Sequence, residues 1–114
     1  MSQDCIFCKI AAGEIPAKIV RQDDLVVAFE DLNPQAPTHV LLIPRAHVPR
    51  AIEVGAVLGP ALARIFETAA DIVRERGLEE GYRLVVNNGP GAGQTVFHLH
   101  FHLIGGRGMK WPPG

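Results

Sequence analysis

The chain has 114 residues, 47% hydrophobic and 20% charged, with 11 Lys and Arg against 12 Asp and Glu and a net charge of −1. That length suits one domain spanning 1–114 with a modest core, and a high apolar fraction at near-zero charge excludes a disordered chain. With no basic surplus to neutralise phosphates, nucleic-acid binding through charge is excluded too. The longest apolar runs, such as Val40-Leu41-Leu42-Ile43, fall far short of the roughly 20 residues of a membrane span. Met1-Ser2-Gln3-Asp4 lacks the basic and apolar regions of a secretory leader, so a cytoplasmic location is expected. The two cysteines, Cys5 and Cys8, stand three apart, a spacing that in a reducing compartment suggests metal ligation or redox chemistry before a structural disulfide.

In chain order, residues 4–12 read as a short helix, with Asp4 as N-cap, Ile6, Phe7 and Ile10 on one side, and Gly13 then Pro16 as stop. Segments 17–22 and 25–30 alternate about Asp23-Asp24 and predict a hairpin, with Leu25, Val27 and Phe29 on one face. Asn33-Pro34 and Pro37 mark a loop, and Thr38 to Ile43 reads as a strand halted by Pro44. Leu58, Leu62, Ile65, Phe66, Ala69, Ile72 and Val73 recur at helical spacing, with Pro60 in the first turn and Gly77 at the stop. Strands follow at 82–87 and 96–104. The strands lie too close in sequence for helical crossovers, except across the long helix. The fold class is therefore α+β, with one short and one long helix on a five-stranded, mostly antiparallel sheet.

The strongest chemical feature is His98-Leu99-His100-Phe101-His102-Leu103, which holds three of the five histidines. On a strand all three imidazoles project one way, roughly 6.5–7 Å apart, while the apolar residues face the core. A solvated polar face, a metal site closed by ligands from elsewhere, and nucleophilic catalysis all fit this row. An imidazole of ordinary pKa is largely neutral at pH 7 and attacks phosphorus without a separate base, and its neighbours can protonate a leaving group. Ahead of the row, Asn87-Asn88-Gly89-Pro90-Gly91-Ala92-Gly93-Gln94-Thr95 is a glycine-rich loop. It is either an ordinary turn or a cradle of backbone N–H groups for an anion. His39 shares a strand face with Leu41 and Ile43, His47 falls in a loop, and Asp31 caps a turn or binds a sugar hydroxyl.

Taken together, these pieces resemble the histidine triad (HIT) family, in particular its Hint branch of purine nucleoside phosphoramidases. The resemblance is carried by Cys5-Ile6-Phe7-Cys8-Lys9-Ile10, Gly13-Glu14-Ile15-Pro16-Ala17-Lys18, Asp31 to His39, Gly93-Gln94-Thr95-Val96, the histidine row, and Trp111-Pro112-Pro113-Gly114. It implies a homodimer joining two five-stranded sheets, with a purine nucleotide pocket in each subunit and Trp111 reaching the partner's site. By matched position it implies His100 as the nucleophile on the α-phosphorus, with His102 and His39 at the phosphate and leaving group. His98 would support a hydrogen-bond relay. Asp31 would hold the ribose, and Asn87, Gly93, Gln94 and Thr95 the phosphate. Phe7, Ile10, Phe29, Leu32 and Leu41 would line the base pocket. The implied reaction is hydrolysis of a nucleoside 5′-phosphoramidate to AMP and an amine through a nucleotidyl-histidine intermediate.

Thr95 stands where serine is common in this branch, and the hydroxyl survives. Some members build a structural zinc site from the two cysteines, a further histidine and the first triad histidine, which implies Cys5, Cys8, His47 and His98 here. Four such ligands suit tetrahedral zinc, and a redox CxxC is the competing reading. Rival functions are the related dinucleoside polyphosphate hydrolase activity and a non-catalytic nucleotide- or zinc-binding regulator.

Overall fold

Seven regular elements follow the expected order in a computed structural model that describes residues 4–114: α1 (Ile6–Ala11), β1 (Ile19–Gln22), β2 (Val26–Glu30), β3 (Thr38–Pro44), α2 (Gly59–Glu75), β4 (Tyr82–Val86) and β5 (Phe101–Gly105). Met1 to Gln3, part of the segment read above for a leader, lies outside the described residues. No helix among those residues is long and apolar enough to cross a membrane. The strands form one sheet in the order β1-β2-β3-β5-β4, and every pairing is antiparallel.

All seven residues of β3 are buried, because the sheet is covered on both sides. Val40 and Leu42 point to α2, where they join Val26, Ala28, Leu103, Ile65, Ala69 and Ile72. Leu41 and Ile43 point the other way, to Phe7 of α1, Val27 and Phe29. Strand alternation thus splits the core into two clusters, and the second roofs the site.

Helix α2 forms much as its periodicity requires. Pro60 sits in the first turn, and Gly77 takes φ +67° just past the end, a conformation that favours glycine. Phe66 departs from the expected stripe: it is half exposed and lies edge-to-face with Phe101, ring centroids 5.9 Å apart.

Several boundaries differ from the sequence reading. Asp4 does not cap α1. Cys5 has extended backbone there, and its Sγ accepts the Cys8 N–H at 3.3 Å. Leu25 lies outside β2, and its side chain packs on the α2 cluster instead of with Val27 and Phe29. Pro44 belongs to β3, and the first strand begins at Ile19 instead of residue 17.

The largest correction concerns the last strand, which starts at Phe101, so His98 and His100 precede it. Its ladder ends there because Pro44 has no N–H to offer and its carbonyl is taken by the His98 ring at 2.8 Å. Leu99 N–H turns instead to the Val48 carbonyl at 2.7 Å, tying this stretch to the 45–50 loop.

Ile65 is fully buried between α2 and the sheet. Ile65→Ala is expected to lower stability by about 2–5 kcal/mol, read as an earlier urea midpoint at unchanged slope.

Candidate active site

The cavity lies on the α1 side of the sheet, with a volume of about 280 Å³. That is near the lower end of ligand pockets, roughly 300–1,000 Å³. Phe7, Ile10, Phe29 and Leu41 line its apolar part, and Asp31, Thr95, His100 and His102 supply polar groups. Leu32 also lines it, but as a rim residue 96% exposed. Ile15, Pro16, Ala17 and Lys18, which carry part of the family resemblance but were given no place in the site, form a further wall. No periodic signal marks them, since they lie in the irregular link between α1 and β1.

His100 is buried with its ring edge-on to Phe7, centroids 5.0 Å apart at 86°. Its Nδ1 lies 2.7 Å from the His98 carbonyl. A carbonyl only accepts, so Nδ1 carries the proton and Nε2 keeps its lone pair. Burial pushes the His100 pKa below its ordinary value, opposed by that hydrogen bond and by the Asp31 charge. A neutral ring with a bare Nε2 on a cavity wall is equipped as a nucleophile.

His102 faces Leu41 across the sheet and lies diagonally from His39, whose Nε2 is 2.9 Å from His102 Nδ1. His39 Nε2 is also 3.4 Å from Asp31 Oδ2. The other nitrogen of His102, Nε2, is buried without a hydrogen-bond partner among the described residues, on a ring that lines the cavity. Burial, with His100 and His39 alongside, lowers the His102 pKa to about 4.

His98 is fully buried and belongs to a different constellation. Its Nε2–H donates to the Pro44 carbonyl, which leaves Nδ1 unprotonated. That Nδ1 lies 3.3 Å from Cys5 Sγ, 3.5 Å from Cys8 Sγ and 3.3 Å from His47 Nδ1. Cys8 Sγ is 3.4 Å from His47 Nδ1. The four atoms lie within 4.8 Å of one another, a set able to hold a metal ion. Burial lowers the His98 pKa to about 4, while burial and the Cys5 hydrogen bond raise the Cys8 thiol to about 11. The expected row of three imidazoles on one site is therefore divided. His100 and His102 face the cavity, and His98 turns its ring to the cysteines and meets His100 only through its carbonyl.

The glycine-rich loop also differs from expectation. Thr95 reaches the cavity, whereas Asn87, Gly93 and Gln94 do not line it. Gln94 is buried with its amide fully engaged: Oε1 accepts Gly89 N–H at 2.7 Å, and Nε2 donates to the Pro49 and Val96 carbonyls. It fixes the loop's shape and has no free group to offer a phosphate.

The HIT domain model matches residues 12–109. The chain is 49% identical to the purine nucleoside phosphoramidase of Escherichia coli (strain K12), over 94% of this chain and 91% of that protein. It is 44% identical to a 14 kDa zinc-binding protein of Brassica juncea, over 97% of this chain and 100% of that one. The crystal structure of a HIT family hydrolase from Legionella pneumophila Philadelphia 1 superimposes with a TM-score of 0.94 at 50% identity, covering 97% of this chain and 100% of that one. With its antiparallel five-stranded sheet and its histidine-lined cavity, the chain belongs to the HIT domain family.

Proposed function

We propose that this protein hydrolyses purine nucleoside 5′-phosphoramidates to the nucleoside monophosphate and a free amine. The observation that carries this reading is the His100 ring, whose Nδ1–H is committed to the His98 carbonyl while Nε2 stays unprotonated on a cavity wall. The 49% identical phosphoramidase supports the choice of substrate. His100 Nε2 attacks the α-phosphorus, and the P–N bond to the amine breaks as the P–N bond to the ring forms. The ring's growing positive charge is held by the Nδ1–H bond to the His98 carbonyl. An amine leaves only with a proton, and His102 Nε2, unpartnered beside His100, supplies it. Water then adds to phosphorus as the bond to His100 breaks, its proton returns to His102 Nε2, and AMP leaves with both imidazoles neutral again. Asp31 holds the ribose. Thr95 serves the phosphate, and the apolar wall of Phe7, Ile10, Phe29, Leu32 and Leu41 takes the base.

Cys5, Cys8, His47 and His98 would hold a zinc ion. Bonds of roughly 2.3 Å to sulfur and 2.05 Å to nitrogen in tetrahedral array space such ligands about 3.6 Å (S–N) and about 3.3 Å (N–N) apart. The observed separations, 3.3–3.5 Å and 3.3 Å, match that pattern. A closed four-ligand site supplies folding energy and no open coordination position. We also propose that two copies pair in solution, with the exposed Trp111 of each near its partner's site. A cytoplasmic location accords with two free thiols.

His100→Ala is expected to lower the kcat for adenosine 5′-phosphoramidate by about 10⁴-fold or more. Wild type quenched in turnover should carry one nucleotidyl group, lost in the variant. A variant as active as wild type, or wild type inert toward this substrate, overturns the assignment.

Below pH 6.5 an unfolded His102 binds a proton that the folded ring, with its pKa near 4, refuses. Stability should therefore fall between about pH 6.5 and 4 and level off beneath. Urea midpoints measured across this range should fall less steeply in His102→Gln.

Zinc added to metal-free protein should release protons, because the Cys8 thiol is protonated at neutral pH, and should raise Tm. A Cys5→Ser, Cys8→Ser double variant should show neither effect.

A further inference from the structure

The polar groups around His39 decide where the protons of two imidazoles reside. The main-chain N–H of Gln35 donates to His39 Nδ1 at 3.0 Å. An N–H only donates, so Nδ1 must be bare, and His39 is neutral with its proton on Nε2. The Asp31 carboxylate, 3.4 Å from that Nε2, agrees, since it also needs a donor. His39 Nε2–H then donates to His102 Nδ1 at 2.9 Å, so the proton of a neutral His102 sits on Nε2. That is the buried nitrogen without a partner among the described residues. Its proton is free for a ligand.

Gln35 is itself held from the chain that follows β5. Arg107, beyond the end of β5, donates from Nε to the Gln35 carbonyl at 2.8 Å, and Gln35 Nε2 bonds back to the Asn33 carbonyl at 2.9 Å. Asn33 N–H is anchored in turn on Asp31 Oδ1 at 2.7 Å. The loop from Asp31 to His39 is thus tied at both ends of Gln35.

We infer that the Gln35 main-chain N–H, set in place by Arg107, is a positioning group that locks His39 neutral and thereby makes Nε2 the proton-bearing nitrogen of His102, whose ring lines the cavity. The inference deepens the phosphoramidase reading and rests on it for the use of that proton. The tautomers themselves are independent of any substrate. With the opposite tautomer, His102 would present a lone pair where an amine leaving group needs a donor. The same lock excludes a cation at Asp31 and His39, because ligation through His39 Nε2 would move the proton to Nδ1, against Gln35 N–H.

The test is imidazole ¹⁵N NMR on the full-length protein without substrate, at neutral pH. In wild type both His39 and His102 should carry the proton on Nε2. Gln35→Pro removes the N–H and should shift His39 and His102 to mixed tautomers. With adenosine 5′-phosphoramidate it should lower kcat by about 100-fold, the lower end of a general-acid contribution, with KM little changed. Gln35→Ala keeps the N–H and should keep the wild-type imidazole pattern. Arg107→Ala should give a mixture of tautomers at His102. A wild-type spectrum with His102 protonated on Nδ1, or with His39 as imidazolium, overturns the inference even if Gln35→Pro fails to fold. So does a folded Gln35→Pro with the wild-type pattern and kcat. If wild type shows the expected tautomers but no turnover, the phosphoramidase reading fails and the lock stands.

Discussion

A buried imidazole with no partner is a cost to a fold, and His98 is fully buried. Its cost is offset because both ring nitrogens and its main-chain carbonyl are used. Nε2–H meets the carbonyl that ends β3, Nδ1 faces two sulfurs and a second imidazole, and the main-chain carbonyl receives His100 Nδ1–H. Through this one residue the end of the central strand, the cysteine cluster and the proposed nucleophile share a frame. The cluster does not reach the cavity. The hydrogen bond that links it to His100 runs through a peptide carbonyl, which leaves the His98 ring itself to the cluster.

Much of the architecture was legible because two periodicities were clean. The 3.6-residue stripe of α2 and the alternation in β2 and β3 marked both faces of a doubly covered sheet. What escaped was set by tertiary partners. Leu25 continues the Val27–Phe29 alternation on paper, but the chain leaves the strand at the hairpin and carries it to the other face. The histidine row alternates through six residues, yet hydrogen bonds to Pro44 and Val48 pull its first half off the sheet. No local pattern reports a carbonyl that another side chain has already taken.

The cavity shows the same division. Phe7, Ile10, Phe29 and Leu41 were readable from helix and strand faces together with the family resemblance. The 15–18 wall was not, because an irregular link has no period. Gln94 illustrates a different limit. A polar residue in a glycine-rich loop reads as a ligand contact, but this one spends its donors and acceptor on the loop that contains it.

Arg45 lies outside the cavity, yet it governs one of the cavity's walls. Its guanidinium spans three acceptors: the Asp23 carbonyl at 2.6 Å, the Ala11 carbonyl at 2.6 Å and Gln22 Oε1 at 3.0 Å. The planar fork joins the last turn of α1 to the hairpin tip, a span that the single ammonium of a lysine does not reproduce. A short helix of six residues has little intrinsic persistence. Beside the packing of Phe7 on the sheet, its lean, and with it the breadth of the slot beneath, is therefore held from the rim by one cation.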